Sequence, residues 1–195
     1  LQLTATSFLL YRLTGNSVDL GINAALQFLP MLIFGAWAGA LADRFDRRRT
    51  TIVTQSLMAL QAIVLGICDV SGVINVELVF VLTGILGLVG AIDNPSRRGL
   101  VTELVPPHEI GNAMSLNTAV MTGSRIFGPA IAASLVGPLG TGWLFIINGM
   151  SYVFMLYGVV GLRKSEMFTP EPRPAGGTPV RDGIRFVRTH HRLFP

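Results

Sequence analysis

Long stretches without a charged residue constrain this chain more than any other feature. Residues 20–42 are uncharged over 23 positions and residues 50–68 over 19. A third uncharged stretch, residues 126–162, covers 37 positions and is divided by a turn-like sequence at 137–142. An α-helix rises ~1.5 Å per residue, so about 20 apolar residues cross ~30 Å of hydrocarbon. The pattern therefore predicts membrane-spanning helices, because no polar face recurs at helical spacing within these stretches.

We predict an all-α polytopic membrane protein with six spans. They cover residues 1–12 (a partial first helix), 19–42, 50–69, 77–94, 111–136 and 143–162. Only 13% of the 195 residues are charged, whereas a soluble domain usually has about 25%. The opening residues lack a positive region and a small-residue cleavage site, so they do not resemble a signal peptide. We expect the chain to be a fragment that begins within its first helix.

The loops between the predicted spans alternate in charge. Arginines cluster at 43–49, at 95–110 and after the sixth span, whereas the opposite loops are richer in acidic residues. Because positive residues mark the cytoplasmic side, we expect loops 43–49 and 95–110 and the C-terminal segment in the cytoplasm, with the chain in the cell (inner) membrane. The net charge of +4 then reflects topology and predicts no nucleic-acid partner.

The composition divides the chain into three parts. Residues 1–162 form the predicted transmembrane bundle, and residues 163–180 form a cytoplasmic linker rich in proline and glycine. In residues 181–195, arginines recur at helical spacing. This segment predicts either a short basic amphipathic helix on the inner membrane surface or a solvated charged face.

The end of the second span carries the most specific pattern, G-A-L-A-D-R-F-D-R-R-R. Gly35 and Gly39 remove side-chain bulk, so a neighbouring helix could pack closely there. Asp43 places an anion at the membrane boundary, where it needs a cation or a helix N-terminus. Arg47 could turn towards Asp93 at the end of the fourth span. The alternative interpretation is a positive-inside anchor with an incidental acid.

This segment resembles the signature loop of the major facilitator superfamily, G-x-x-x-D-[RK]-x-G-[RK]-[RK]. Asp46 replaces the second glycine, and the matching residues are Gly39, Asp43, Arg44, Arg47 and Arg48. Three further stretches resemble the drug and siderophore exporter branch, which includes the enterobactin exporter and macrolide-efflux proteins. They are D-N-P-S-R-R at 93–98, L-V-P-P-H-E-I-G-N-A at 104–113 and S-R-I-F-G-P-A at 124–130.

The resemblance implies a secondary-active exporter of small amphipathic molecules, working by alternating access and proton antiport in a bacterial cytoplasmic membrane. The chain would be the N-terminal six-helix half of a 12-helix transporter, built as two three-helix inverted repeats. Its partners would be lipid, substrate, protons and the missing C-terminal half. Asp43 would dock against a helix of that half, and Arg47 with Asp93 would form a charge relay. The predicted fourth span has no arginine, although many proton-coupled drug exporters of the family carry one there.

Arg125 is the strongest oddity inside a predicted span. A cation near the middle of a span costs roughly 2.5–3.5 kcal/mol on insertion scales, so Arg125 should face the bundle interior or a wet cavity. There it could bind an anionic substrate group, a carboxylate or backbone carbonyls.

Gly128 and Pro129 resemble the antiporter motif of the same family, although Ala132 and Ala133 replace its glycine pair. Pro129 removes a backbone hydrogen bond and would kink the helix. A kink that serves only packing is the alternative. Three amide side chains inside spans could line a central cavity or bond between helices, namely Gln27, Asn117 and Asn148.

The motifs of several other protein classes are missing from the sequence. A phosphate-binding G-x-x-x-x-G-K-[ST] and the hydrolytic motifs G-x-S-x-G and H-E-x-x-H do not occur. The histidines fall in predicted loops, and Cys68 is the single cysteine. We therefore predict no enzyme, no metal site and no cofactor. A membrane subunit of another transport complex and a non-transporting truncated scaffold remain as alternatives.

Overall fold

The chain is a bundle of helices joined by short loops in the computed structural model, which describes residues 1–42, 45–163 and 167–168. A single 3-10 turn, Pro107–Glu109, precedes the last helix. The α-helices are α1 Gln2–Thr14, α2 Ser17–Ala42, α3 Arg47–Val70, α4 Val76–Glu103 and α5 Ile110–Gly161. These described ranges contain no strand, so the all-α prediction is confirmed.

Four helices of the described part are long and apolar enough to cross a membrane, namely α2, α3, α4 and α5 with the turn before it. Helix α1 has 13 residues and is ~20 Å long, which is shorter than the ~30 Å hydrocarbon layer. The predicted fifth and sixth spans both lie within the 52-residue α5.

Helix α5 reverses direction at Gly140, where the backbone leaves helical geometry with φ 77° and ψ 167°. A Cβ on Gly128 would lie 3.6 Å from the Leu1 nitrogen, and the Asn148 amide donates to Gln2. In a straight helix Gly128 and Asn148 would be ~30 Å apart, so both can reach the start of α1 only if the chain folds back between them. We call residues 110–139 the first arm of α5 and residues 141–161 the second arm.

Helix α4 is longer than the sequence predicted. Its predicted end was residue 94, but it continues through Pro95 to Glu103. Pro95 has no amide hydrogen for the Ala91 carbonyl, while the Asn94 side chain donates to the neighbouring Gly90 carbonyl at 2.8 Å. Leu100 is buried in the extension, so packing stabilises it.

The prediction of a loop over 95–110 is therefore wrong for its first nine positions, since the loop begins at Leu104. Arg97 and Arg98 lie within the extension of α4, whereas the predicted span, residues 77–94, contains no arginine. A proline usually ends a helix because it clashes with the preceding turn, but here the buried face of the extension stabilises the helix beyond Pro95.

Close packing of backbones joins the helices in two pairs. A Cβ added to Gly87 of α4 would lie 2.5 Å from the Leu26 carbonyl oxygen of α2. A Cβ on Gly66 of α3 would lie 2.8 Å from the Gly142 carbonyl oxygen in the second arm of α5. The sequence placed such packing at Gly35 and Gly39, yet an added Cβ would meet nothing within 4 Å at either of them.

The apolar core lies near the end of the bundle where α5 reverses. It combines side chains from α1, α3, α4 and the second arm of α5, namely Ala5, Leu9, Leu10, Leu65, Val79, Leu82, Leu144 and Phe145. Because these residues come from four elements, the core holds the ends of the helices in register.

We expect Gly87→Leu to destabilise the protein, because the new side chain would displace α2 from α4. Overpacking of this kind costs roughly 1–3 kcal/mol. Gly84→Leu is the matched control on the same helix, since a Cβ there meets nothing within 4 Å. Thermal unfolding in detergent measures both, and equal transition temperatures for the two variants would contradict the close α2–α4 contact.

Candidate functional site

Asp93 is a carboxylate buried between α3 and α4, with 3% of its surface exposed. The Thr54 hydroxyl lies 2.7 Å from Asp93 Oδ1, and the Gln55 amide donates to the same oxygen at 2.8 Å. The other oxygen, Oδ2, forms an ion pair with Arg97 Nε at 3.5 Å, one turn further along α4. A buried charge requires such partners, because its desolvation is otherwise unfavourable.

The partners of Asp93 tie two helices together at one charge. Thr54 and Gln55 come from α3, whereas Arg97 comes from α4 itself. Loss of the Asp93 charge would weaken the bonds that α3 and α4 share, whereas movement of Arg97 would break a contact within α4. The arrangement can thus convert a change of charge into a change of helix packing.

Arg47 forms an ion pair with Glu103, with 3.4 Å between Nη1 and Oε1. Its guanidinium lies over Gly99, where an added Cβ would be 2.6 Å from Nη1. The sequence predicted a relay between Arg47 and Asp93. The structure pairs Arg47 with Glu103 and Asp93 with Arg97, so one ion pair joins α3 to α4 and the other lies within α4.

Arg48, near the start of α3, contacts the end of α5 and not α4. Its Nε donates to the Val159 carbonyl at 3.0 Å, and its Nη2 donates to the Val160 carbonyl at 2.6 Å. These carbonyls lie in the last turn of α5, where backbone acceptors have no helical partner. Arg48 of the signature motif thus joins the start of α3 to the end of α5.

Of the remaining motif residues, Gly39 is half-buried near the end of α2. Asp43 and Arg44 lie outside the described residues, as do the predicted basic segment 181–195 and most of the linker 163–180. Asp46, the departure from the motif, accepts from the Arg48 and Arg49 backbone amides and caps α3. A short acidic side chain at this position is a common helix start.

A chain of three amide side chains crosses the bundle at the level of Gln2. Gln2 Nε2 donates to Gln61 Oε1 at 2.6 Å, and Asn148 Nδ2 donates to Gln2 Oε1 at 3.0 Å. The Gln61 amide nitrogen is buried without a hydrogen-bond partner in the described part of the chain. An unsatisfied buried donor is costly, so this nitrogen is available to an acceptor.

A cavity of about 230 Å³ adjoins these three amide side chains at Gln2. Its polar lining consists of Gln2, Gln27, Asn94 and Tyr152, and none of its lining residues is charged. Its apolar lining consists of Phe28, Met31, Met58 and Leu86. Of the predicted cavity-lining residues, Gln27 is therefore in this cavity, Asn148 holds Gln2 beside it, and Asn117 instead contacts Met121 Sδ at 3.7 Å.

Arg125 is exposed on the first arm of α5. It forms no hydrogen bond or ion pair within the described residues. Pro129 lies inside the same arm, and only Gly140 has non-helical backbone angles in α5. Gly128 contacts the start of α1, as its distance to Leu1 shows.

A second buried carboxylate, Asp69, lies at the end of the bundle where α5 reverses. Asp69 of α3 forms an ion pair with Arg12 of α1 and accepts from the Thr141 hydroxyl at 2.5 Å. The Asp69 side chain is only 3% exposed. These bonds tie α1, α3 and the second arm of α5 together, and the sequence had treated Asp69 only as a loop charge.

Sequence reasoning assigned no specific contact to several residues that the structure places at buried polar contacts. Thr83 donates to Asn23 Oδ1 at 2.8 Å between α4 and α2, and Thr54 and Gln55 hold Asp93. Each is a common uncharged residue in an apolar stretch, so its type alone does not distinguish it from a packing residue. The sequence offered one signal of these contacts, namely that polar residues occur in several spans and could pair between neighbouring helices.

The family model described as transmembrane secretion effector, part of the major facilitator superfamily, matches residues 1–194. The chain is 27% identical to the uncharacterized MFS-type transporter YfiS of Bacillus subtilis, over 91% of this chain and 42% of the relative. It is 26% identical to the staphyloferrin A transporter of Staphylococcus aureus, over 70% of this chain and 35% of the relative. It is also 29% identical to macrolide efflux protein A of Streptococcus pyogenes, over 67% and 32% respectively.

The chain spans less than half the length of each of these relatives. No solved structure matches it significantly. The family match nevertheless covers nearly the whole chain and agrees with four apolar helices of spanning length in the described part. The chain therefore belongs to the major facilitator superfamily, in its transmembrane secretion effector family, and is a multi-pass membrane protein of a transporter family and not an enzyme.

Proposed function

We propose that this chain is the N-terminal half of a secondary-active exporter of small amphipathic molecules. In this proposal α1 to α4 and the two arms of α5 are the six helices of the half, arranged as two three-helix inverted repeats. The reversal of α5 at Gly140 supports the count of six. The named relatives, a staphyloferrin A transporter and a macrolide efflux protein, support a drug or siderophore as the cargo.

One observation supports the proposal most: one side of the bundle is tightly packed, whereas the other side exposes large apolar side chains. Helix α3 and the second arm of α5 are joined by Gly66 and Gly142 and by the bonds of Arg48. In contrast, α2 exposes Leu32 and Trp37 at 82% and 78%, and the first arm of α5 exposes Phe127 at 66%. A half that rocks against a partner during alternating access needs one rigid side and one side that can change contacts.

The conformational switch in this proposal is the group of charges at the end of α4. Glu103 with Arg47 holds α3 to α4, as do the bonds from Thr54 and Gln55 to Asp93, whereas Asp93 with Arg97 is an ion pair within α4. Docking of Asp43 against the C-terminal half would compete with these contacts. Proton antiport would follow if protonation of Asp93 weakens its bonds to Thr54 and Gln55, because the two helices then lose a charge-dependent contact.

The cargo site in this proposal is the amide-lined cavity of about 230 Å³. Amides and a phenol can donate and accept hydrogen bonds, whereas Met31, Met58 and Phe28 provide adaptable apolar contact. The unsatisfied Gln61 nitrogen adds a donor behind Gln2. This mixture suits a molecule with apolar surface and a few neutral polar groups.

We expect Asp93→Asn to lower efflux by roughly five- to 150-fold, which is the range of a typical coupling energy between sites. The substitution removes the charge that holds Arg97 while it keeps acceptor capacity towards Thr54 and Gln55. Efflux from proteoliposomes that contain the complete transporter measures the effect.

Glu77→Gln is the matched control for Asp93→Asn, because Glu77 is an exposed carboxylate in the first turn of the same helix. It should transport at the wild-type rate. Since breaking a buried pair can destabilise a protein, only variants with wild-type unfolding temperatures are compared. Wild-type efflux by a stable Asp93→Asn protein would remove Asp93 from the switch.

We expect Arg125→Ala to raise the KM for an anionic cargo by roughly tenfold or more, since hydrogen bonds to charged groups are the stronger ones. Arg125 does not line the amide-lined cavity, so in the proposal the exposed Arg125 meets an anionic group of a cargo that extends beyond that cavity. Arg125→Lys should retain much of the affinity, and a neutral cargo should be little affected. An equal loss for both cargoes would assign Arg125 a structural role.

The proposed orientation places the start of α3 in the cytoplasm and the α3–α4 turn outside. In a Cys68→Ser background, Ser71→Cys should react with a membrane-impermeant maleimide in intact cells, because Ser71 is exposed in that outer turn. His108→Cys, exposed at the opposite end, should react only after the cells are permeabilised. The reverse labelling pattern would overturn the orientation.

A further inference from the structure

A second cavity, of about 450 Å³, lies between α3 and α4 at the arginine-rich end of the bundle. Its walls consist of the apolar residues Val53, Leu57, Val89 and Ile92 together with Thr54, whose hydroxyl is bonded to Asp93. Val53 and Leu57 are 58% and 45% exposed, so the cavity is a groove that opens to the surface. Its mouth is formed by Phe45, Asp46, Arg49 and Thr50.

Arg49 differs from the arginines around it. The side chains of Arg47, Arg48 and Arg97 have partners within the protein, namely Glu103, two α5 carbonyls and Asp93. The Arg49 guanidinium has no ion pair or hydrogen bond within the described part of the chain, and it is exposed.

The other groups at the mouth are already engaged. The Asp46 carboxylate accepts from the Arg48 and Arg49 backbone amides at 3.1 and 3.2 Å, and the Thr50 hydroxyl donates to the Asp46 carbonyl. The first turn of α3 adds the positive end of a helix dipole beside Arg49. The mouth of the groove therefore offers a cation to an anion from outside the protein.

We propose that this groove binds an anionic phospholipid, with one acyl chain along Val53 and Leu57 and its phosphate on Arg49. A guanidinium matches phosphate oxygens in a bidentate manner. The cytoplasmic leaflet carries anionic lipids, and basic pockets between spanning helices on that side bind their head groups. The choice of leaflet rests on the orientation under the proposed function, whereas the groove itself requires only that the chain lies in a membrane.

The test is lipid binding to the purified, delipidated protein, titrated with phosphatidylglycerol or with phosphatidylcholine of the same acyl chains. Native mass spectrometry counts the bound lipids. We expect the wild-type protein to bind phosphatidylglycerol roughly fivefold more tightly than phosphatidylcholine, as one arginine near an anionic head group would give. Arg49→Gln should abolish this preference.

Arg98→Gln is the matched control, because Arg98 is also exposed and has no partner within the described residues, yet it does not line the groove. It should keep the preference. Val53→Trp fills the groove and should weaken binding of both lipids. Circular dichroism and unfolding temperature establish that each variant is folded.

Three outcomes of the binding titrations would overturn the proposal. They are equal binding of the two lipids to the wild-type protein, equal effects of Arg49→Gln and Arg98→Gln, and unchanged binding to Val53→Trp. Competition by millimolar inorganic phosphate as effective as by the lipid would also overturn it, since the site would then be an anion site without an acyl groove. Because these assays involve no transport, their failure leaves the proposed export function intact, and a failed efflux assay leaves the lipid site intact.

Discussion

Helices in hydrocarbon gain little by exchanging lipid for one another, because lipid tails are as apolar as leucine. Their association depends on polar bonds between helices and on close approach of backbones. In this chain Asp93 joins α3 to α4, and the Thr83–Asn23 bond joins α4 to α2. Gln2 joins α1 to both α3 and the second arm of α5. The rest of the bundle follows from these few buried contacts.

The arginines near the start of α3 serve different purposes, although the positive-inside rule treats them alike. Arg48 satisfies carbonyls at the end of α5, and Arg47 pairs with Glu103 beside Gly99. Arg49 alone among these three faces the apolar groove. A cluster that determines topology can thus also brace the fold and, in our proposal, hold a lipid.

The proposed switch and the proposed cargo cavity adjoin on α4, where Asp93 belongs to the switch and the next residue, Asn94, lines the cavity. Charges concentrate where α3 begins and α4 ends, whereas the lining of the amide-lined cavity has none. A neutral cavity allows an amphipathic cargo to enter without a large desolvation cost. A change at Asp93 therefore acts one residue away from the cavity lining.

The sequence by itself predicted the apolar stretches that form the helices of spanning length, α2 to α5, and the turn where α5 leaves helical geometry, because span length and turn chemistry are local properties. It also singled out Asp93 as a charge at a boundary. Only the tertiary structure decided that α4 continues past Pro95, that Thr54 and Gln55 hold Asp93, and that Gly66 and Gly87 rather than Gly35 and Gly39 carry the close contacts. These outcomes depend on which faces of distant segments meet, and uncharged residues in apolar helices carry little local signal of that choice.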